Sequence, residues 1–126
     1  DAGGTCIFAA TGNGGKSAKP PFPANSDDVI GVTALDAKAK AYKYATPGAH
    51  VDVAALGVKR VTAVPGGYRI ASGTSFASAY VAGQASRLNA CSTRKSGSLL
   101  SHIQKNASDL GAPGRDNIYG YGRFKL

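Results

Sequence analysis

The stretch that decides the fold of this chain reads Gly73-Thr74-Ser75-Phe76-Ala77-Ser78-Ala79-Tyr80-Val81-Ala82-Gly83. It places a serine two residues after a glycine, at the start of a run of small residues that predicts an enclosed helix. The N-terminus of a helix presents unpaired N–H groups and the positive end of the helix dipole, which favour negative charge developing nearby. Ser75 is therefore a candidate nucleophile. The alternative is that Thr74 or Ser75 only caps the helix.

The whole string resembles the active-serine motif of the subtilases, the subtilisin-like serine proteases, whose pattern is Gly-Thr-Ser-x-Ala-x-Pro-x-Val-Ala-Gly. Ala79 stands where the family usually has proline, and Leu56 replaces a second family proline. Other segments resemble the family in the same order along the chain: Ala10–Gly14, Phe22–Ala24, Val29–Ala34, Val51–Gly57 and Gly120–Gly122. The resemblance implies an α/β fold: part of the mostly parallel, helix-covered sheet of the subtilisin-like fold.

The resemblance also implies roles for individual residues. Ser75 would attack the scissile carbonyl, and the side-chain amide of Asn13 would stabilise the oxyanion together with the Ser75 N–H. The family's substrate pocket would be walled by the backbone of four residues: Ala9, Ala10, Thr11 and Gly12. An ordinary Asn-Gly turn is the alternative interpretation of Asn13.

A protease of this kind also needs a histidine base and an aspartate that orients it. In subtilase order both precede the oxyanion asparagine, and the residues before Asn13 contain no histidine. Residues 1–126 are therefore predicted to form one unit, the C-terminal half of a peptidase domain, lacking its N-terminal half. We expect the chain alone to be inactive, and to need that half or self-association to complete its fold. The alternative function is a non-catalytic, protease-like domain that acts in binding or assembly.

His50 and Asp52 lie two residues apart on a predicted strand and so suggest a dyad with Ser75. They fall in the segment that matches a structural Val-Asp-Val strand of the family, which disfavours the dyad. His102 lies on a predicted helix, where a surface histidine is the ordinary interpretation. Neither histidine has metal-ligand spacing with the two cysteines, so we expect neither a metal site nor a cofactor.

The net charge of +8 comes from 15 Lys and Arg against 7 Asp and Glu. The basic residues are scattered and do not alternate with aromatic residues, so they predict a solvated face and no nucleic-acid surface. No apolar run approaches the roughly 18 residues that span a bilayer, so we expect no membrane segment. The expected partner is instead a polypeptide substrate.

Cys6 and Cys91 allow one disulfide in an extracytoplasmic setting. The apolar run around Cys6 nevertheless favours a buried free cysteine. Because subtilases are typically secreted, the resemblance implies a secreted, periplasmic or cell-surface location.

Hydrophobic patterning and turn residues predict the order of the elements. Strands are expected over residues 4–11, 28–35, 41–45, 50–55 and 120–124. A hairpin is expected over residues 58–64 and 68–72, and helices over residues 74–88 and 97–107.

Overall fold

Three short parallel strands form the main sheet of the computed structural model, which describes residues 5–88 and 96–126. They are β1 (Phe8–Ala10), β2 (Ile30–Leu35) and β3 (Val53–Leu56), in the spatial order β1-β2-β3. In the register, Phe8 pairs with Ile30 and Val32 pairs with Val53. All six residues of β2 are buried, as expected for the central strand of a parallel sheet that is covered on both faces.

The first strand is shorter than its prediction over residues 4–11. β2 begins at Ile30, so residues before Phe8 have no ladder partner beyond one bond from the Ile30 N–H to the Ile7 carbonyl (2.8 Å). Ile7 is 39% exposed. Among the described residues, β1 pairs only with β2, so its outer edge is open.

The far edge of the sheet is closed by the C-terminal segment. The Ala54 N–H donates to the Gly122 carbonyl, and the Phe124 N–H donates to the Ala54 carbonyl, both at 2.8 Å. This segment contributes single bridges at Arg123 where a strand over residues 120–124 was predicted.

A separate hairpin consists of β4 (Arg60–Val64) and β5 (Gly67–Ala71), which pair antiparallel with Val61 opposite Ile70. The predicted hairpin is thus confirmed. The strand predicted over residues 41–45 is wrong: Ala41 makes one bridge to Leu35, and the chain then runs in turns.

Of two described helices, the first packs on one face of the main sheet and the second adds buried side chains to the same core. They are α1 (Thr74–Ala85) and α2 (Ser96–Asn106), close to the predicted bounds. Their buried side chains join the alternate β2 residues in one core: Ile30, Val32, Ala34, Ala77, Val81, Ala85, Leu99 and Ile103. The opposite face is covered by loop 36–52, because Thr33 of β2 borders a cavity with Ala41 and Tyr42 of that loop. No described helix is long and apolar enough to cross a membrane.

Cys6 is half-buried and disulfide-bonded. The interpretation of Cys6 as a buried free thiol is therefore wrong. The apolar run around Cys6 indicates partial burial, but it does not indicate whether the cysteine forms a disulfide. Cys91, the other cysteine of the chain, lies outside the described residues.

Candidate active site

Ser75 is exposed at the second position of α1. The cap residue of this helix is Gly73, with φ 154° and ψ 162°, so neither Thr74 nor Ser75 is the N-cap residue. The interpretation of Thr74 or Ser75 as a mere cap is therefore wrong. A φ in this range favours glycine. The Ser75 N–H forms no hydrogen bond with the rest of the described chain, so it is available at the positive end of the helix.

Asn13 is held against the start of α1 by Thr74. The Oδ1 atom of Asn13 accepts from the Thr74 N–H and from the Thr74 hydroxyl, each at 2.9 Å. The Thr74 hydroxyl in turn accepts from the Gly12 N–H at 3.2 Å. Because a backbone N–H can only donate, the amide must place its oxygen toward Thr74 and its NH₂ group away from it.

The free NH₂ group of Asn13 lies beside Gly73. A methyl group built on Gly73 would be 3.4 Å from Asn13 Nδ2. Two donors with no partner among the described residues, Asn13 Nδ2 and the Ser75 N–H, therefore lie at the start of α1. Thr74 is fully buried. Its role in orienting Asn13 could not be predicted from the sequence, in which a threonine at this position suggested only a helix cap.

A cleft of about 470 Å³ runs past Ser75. Ala9, Ala10 and Gly12 line it beside Asn13, whereas the fourth predicted pocket residue, Thr11, is fully buried and lies outside the lining. The cleft has further lining residues from loop 12–28 and α1: Pro21, Phe22, Pro23 and Ser78. Phe22 is 84% exposed, and no sequence signal other than the Phe22–Ala24 motif pointed to it.

The two histidines of the chain are both engaged elsewhere. His50 Nε2 is 2.9 Å from the Thr11 carbonyl oxygen, and His102 Nε2 is 2.9 Å from that of Lys125. A carbonyl oxygen only accepts, so both Nε2 atoms carry the proton and donate. Neither histidine lines the cleft. Within this chain, Ser75 therefore has no histidine positioned to accept its proton.

Asp52 also lies outside the lining of the cleft. Its Oδ2 atom accepts from the Gly31 N–H at 2.8 Å. Burial raises the pKa of this carboxyl group, while the Gly31 N–H and the charges of Arg115 and His50 partly oppose the rise. The structure thus brings Asn13 and Ser75 together and keeps His50 and Asp52 out of the cleft.

The chain is similar in sequence to known proteins. A sequence profile of the subtilase family matches residues 1–122. A thermophilic serine proteinase of Bacillus sp. (strain AK1) is 36% identical over 122 residues, which cover 96% of this chain and 29% of that protein. The minor extracellular protease Epr of Bacillus subtilis (strain 168) is 31% identical over 121 residues, which cover 94% of this chain and 19% of Epr.

The fold is also similar to a solved structure. The crystal structure of a lanthipeptide protease matches with a TM-score of 0.80 and 27% identity, over 95% of this chain and 48% of that one. The chain belongs to the subtilase family of serine peptidases. It spans less than half the length of each of these three proteins.

Proposed function

We propose that this chain supplies the nucleophile and the oxyanion donors of a subtilisin-like serine endopeptidase. The observation that carries the proposal is the orientation of Asn13: Thr74 uses both of its donors on Oδ1, which leaves the NH₂ group beside Gly73, in the cleft that Ser75 also lines. An amide held in this way needs no rearrangement when negative charge develops, and this preorganisation is what makes such donors effective.

In the proposed reaction, a polypeptide binds along the cleft past Ala9, Ala10 and Gly12. The Ser75 hydroxyl oxygen attacks the scissile carbonyl carbon, and the carbonyl oxygen becomes an oxyanion. Asn13 Nδ2 and the Ser75 N–H donate to that oxyanion, assisted by the helix dipole. Loss of one such donor typically costs about 10²–10³ in turnover.

The hydroxyl proton of Ser75 needs a base, and we propose that this chain does not contain it. His50 and His102 both donate to backbone carbonyls and lie outside the cleft. Without a base the serine stays a weak nucleophile, so we expect the 126-residue chain alone to be inactive. The histidine and aspartate would come from the N-terminal half of the peptidase domain.

A secreted, periplasmic or cell-surface location fits the same proposal. Cys6 is disulfide-bonded, and disulfides persist mainly in oxidising compartments. The related Epr is described as extracellular.

A fluorophosphonate probe, which labels only activated serines, tests the proposal. The chain would be treated with the probe alone and together with the N-terminal half of a subtilase domain that carries the aspartate and histidine. We expect labelling only in the mixture. Ser75→Ala should abolish it, and Ser78→Ala, a change on the same helix and in the same cleft, should preserve it.

Two outcomes would contradict this assignment. Peptide hydrolysis by the chain alone, abolished by Ser75→Ala, would make His50 the base after a rearrangement. A mixture that forms a stable complex yet leaves Ser75 unlabelled would favour the alternative function, a protease-like domain that acts in binding.

A further inference from the structure

A half-enclosed cavity of about 330 Å³ lies between loop 40–47 and the turn 116–120. Its apolar walls consist mainly of Ala41, Tyr42, Ala45, Pro47, Ile118 and Tyr119. It shares no lining residue with the cleft beside Ser75. Its volume is at the lower end of the roughly 300–1,000 Å³ that small-molecule sites occupy, so it suits a small ligand.

The walls of this cavity are fixed in place by backbone hydrogen bonds. The Ala41 N–H donates to the Tyr119 hydroxyl at 3.3 Å, and the Tyr42 N–H donates to the Ala34 carbonyl of β2 at 2.8 Å. On the other wall, Asp116 Oδ1 accepts from the N–H groups of Ile118 and Tyr119, both at 2.8 Å. A ligand would therefore enter a preformed site and would not have to order the loops.

The charged side chains that line the cavity are all positive. Lys16, Lys40 and Lys43 line it, and no acidic side chain does. Among the described residues none of the three lysines forms a salt bridge, and Lys43 Nζ lies 4.8 Å from the centroid of the Tyr44 ring. The carboxylate of Asp36 accepts from the N–H groups of Lys38 and Lys40 and lies outside the lining.

We propose that this cavity binds a small organic anion, a carboxylate carried on an aromatic or aliphatic body. The apolar walls would take the body, and the lysines at the opening would face the carboxylate. An ammonium group in the same position would meet three like charges, and no carboxylate lines the cavity to offset them.

Calorimetric titration of the 126-residue chain with two probes of matched size, 4-phenylbutyrate and 4-phenylbutylamine, tests the proposal. We expect the acid to bind saturably and at least about tenfold more tightly than the amine. Added salt should weaken the binding of the acid, because exposed charges are screened. Amide shifts on binding should concentrate at residues 40–47 and 116–119.

Two variants of one loop separate this site from general attraction to a basic protein. Lys40→Gln should weaken binding of the acid by about twofold to fivefold, the range expected for one exposed charge pair. Lys38→Gln removes the same charge from a residue that does not line the cavity, and should leave the affinity unchanged.

Three outcomes would overturn the proposal. One is equal affinity for the acid and the amine, or no saturable binding below about 10 mM. Another is an equal loss of affinity in the two lysine variants. The third is tighter binding of hexaglutamate than of 4-phenylbutyrate at the same residues, which would assign the surface to an acidic protein segment.

Discussion

The Thr74 hydroxyl acts as both acceptor and donor, from Gly12 and to Asn13 respectively. Thr74→Val keeps the shape of the side chain and removes both bonds. Without the hydroxyl, the Gly12 N–H has no acceptor. Leaving a buried donor unpaired lowers the free energy of unfolding by about 1–3 kcal/mol. We expect this loss in urea unfolding, together with slower probe labelling of Ser75 in the mixture with the N-terminal half.

Thr74→Ser is the matched control, because it retains the hydroxyl and loses only a methyl group. It should keep most of the labelling rate. Equal labelling rates for Thr74→Val and the wild type would show that Asn13 is oriented without this hydroxyl.

Asp52 and Asp36 should give the stability of the chain opposite responses to pH. Burial raises the pKa of Asp52 above 3.8, so the folded state holds that proton more tightly than the unfolded chain. Its stabilising contribution is therefore complete below about pH 3.8 and is lost as the pH rises through the raised pKa. The backbone N–H of Lys40, followed by that of Lys38, lowers the pKa of Asp36, whose contribution is present above about pH 3.8 and is lost as the pH falls.

Urea unfolding between about pH 2 and about pH 7 measures both effects. Relative to the wild type, Asp52→Asn should become more stable as the pH rises, because its amide still accepts from Gly31 and carries no buried charge. Asp36→Asn should become less stable over the same range. If the stability of both variants relative to the wild type changed in the same direction with pH, the cause would be the net charge of the chain and not the individual pKa shifts.

At the scale of elements, Gly57 sets how closely α1 approaches the sheet. A methyl group there would lie 2.7 Å from Ala34 Cβ, 2.8 Å from the Gly73 carbonyl oxygen and 3.0 Å from Ala77 Cβ. Gly57→Ala should therefore push the start of α1 outward, costing about 1–3 kcal/mol and slowing the labelling of Ser75. Thermal unfolding and probe labelling measure the two effects.

Gly83→Ala is the control for the same helix. A methyl group on Gly83 meets nothing within 4 Å, so the change should stabilise the chain by about 0.5–1 kcal/mol through the helix propensity of alanine. If Gly57→Ala were as well tolerated as Gly83→Ala, close packing of α1 on the sheet would not position Ser75.

How well each element could be predicted depended on where its partners lie. β2 and the β4–β5 hairpin follow from local patterns, a continuous apolar run and a Pro-Gly-Gly turn, and both were found. The strand expected at residues 41–45 failed because Asp36 binds the N–H groups of Lys38 and Lys40 and turns the chain before a ladder can form. Apolar alternation alone does not reveal such a turn.

At the scale of the whole molecule, the sequence motifs identified Ser75 and Asn13 as candidate site residues but did not show that they lie close together in space. They meet because β1 and α1, far apart along the chain, pack against each other, and the Thr74 bonds fix that contact. Motif order supported the pairing only through the resemblance to subtilases. No pattern in the sequence indicated the lysine-lined cavity, because its two walls come from loops that are far apart along the chain.

The two edges of the sheet differ, and the difference predicts where a partner binds. The β3 edge is covered by Gly122 and Phe124, while the β1 edge is open within the described residues, beside the partly exposed Ile7. An open edge next to apolar surface is a template for another strand, so we expect the 126-residue chain to self-associate through β1 unless the N-terminal half covers it.

Light scattering at about 50 µM should therefore show a dimer or a larger assembly. Ile7→Lys places a charge next to the open edge and should shift the chain toward monomer. Val61→Lys adds the same charge on the separate hairpin, at a residue that is 71% exposed, and should leave the assembly intact. A compact monomer whose amides at residues 5–10 resist hydrogen exchange would refute the prediction, because those amides would then be protected without a partner.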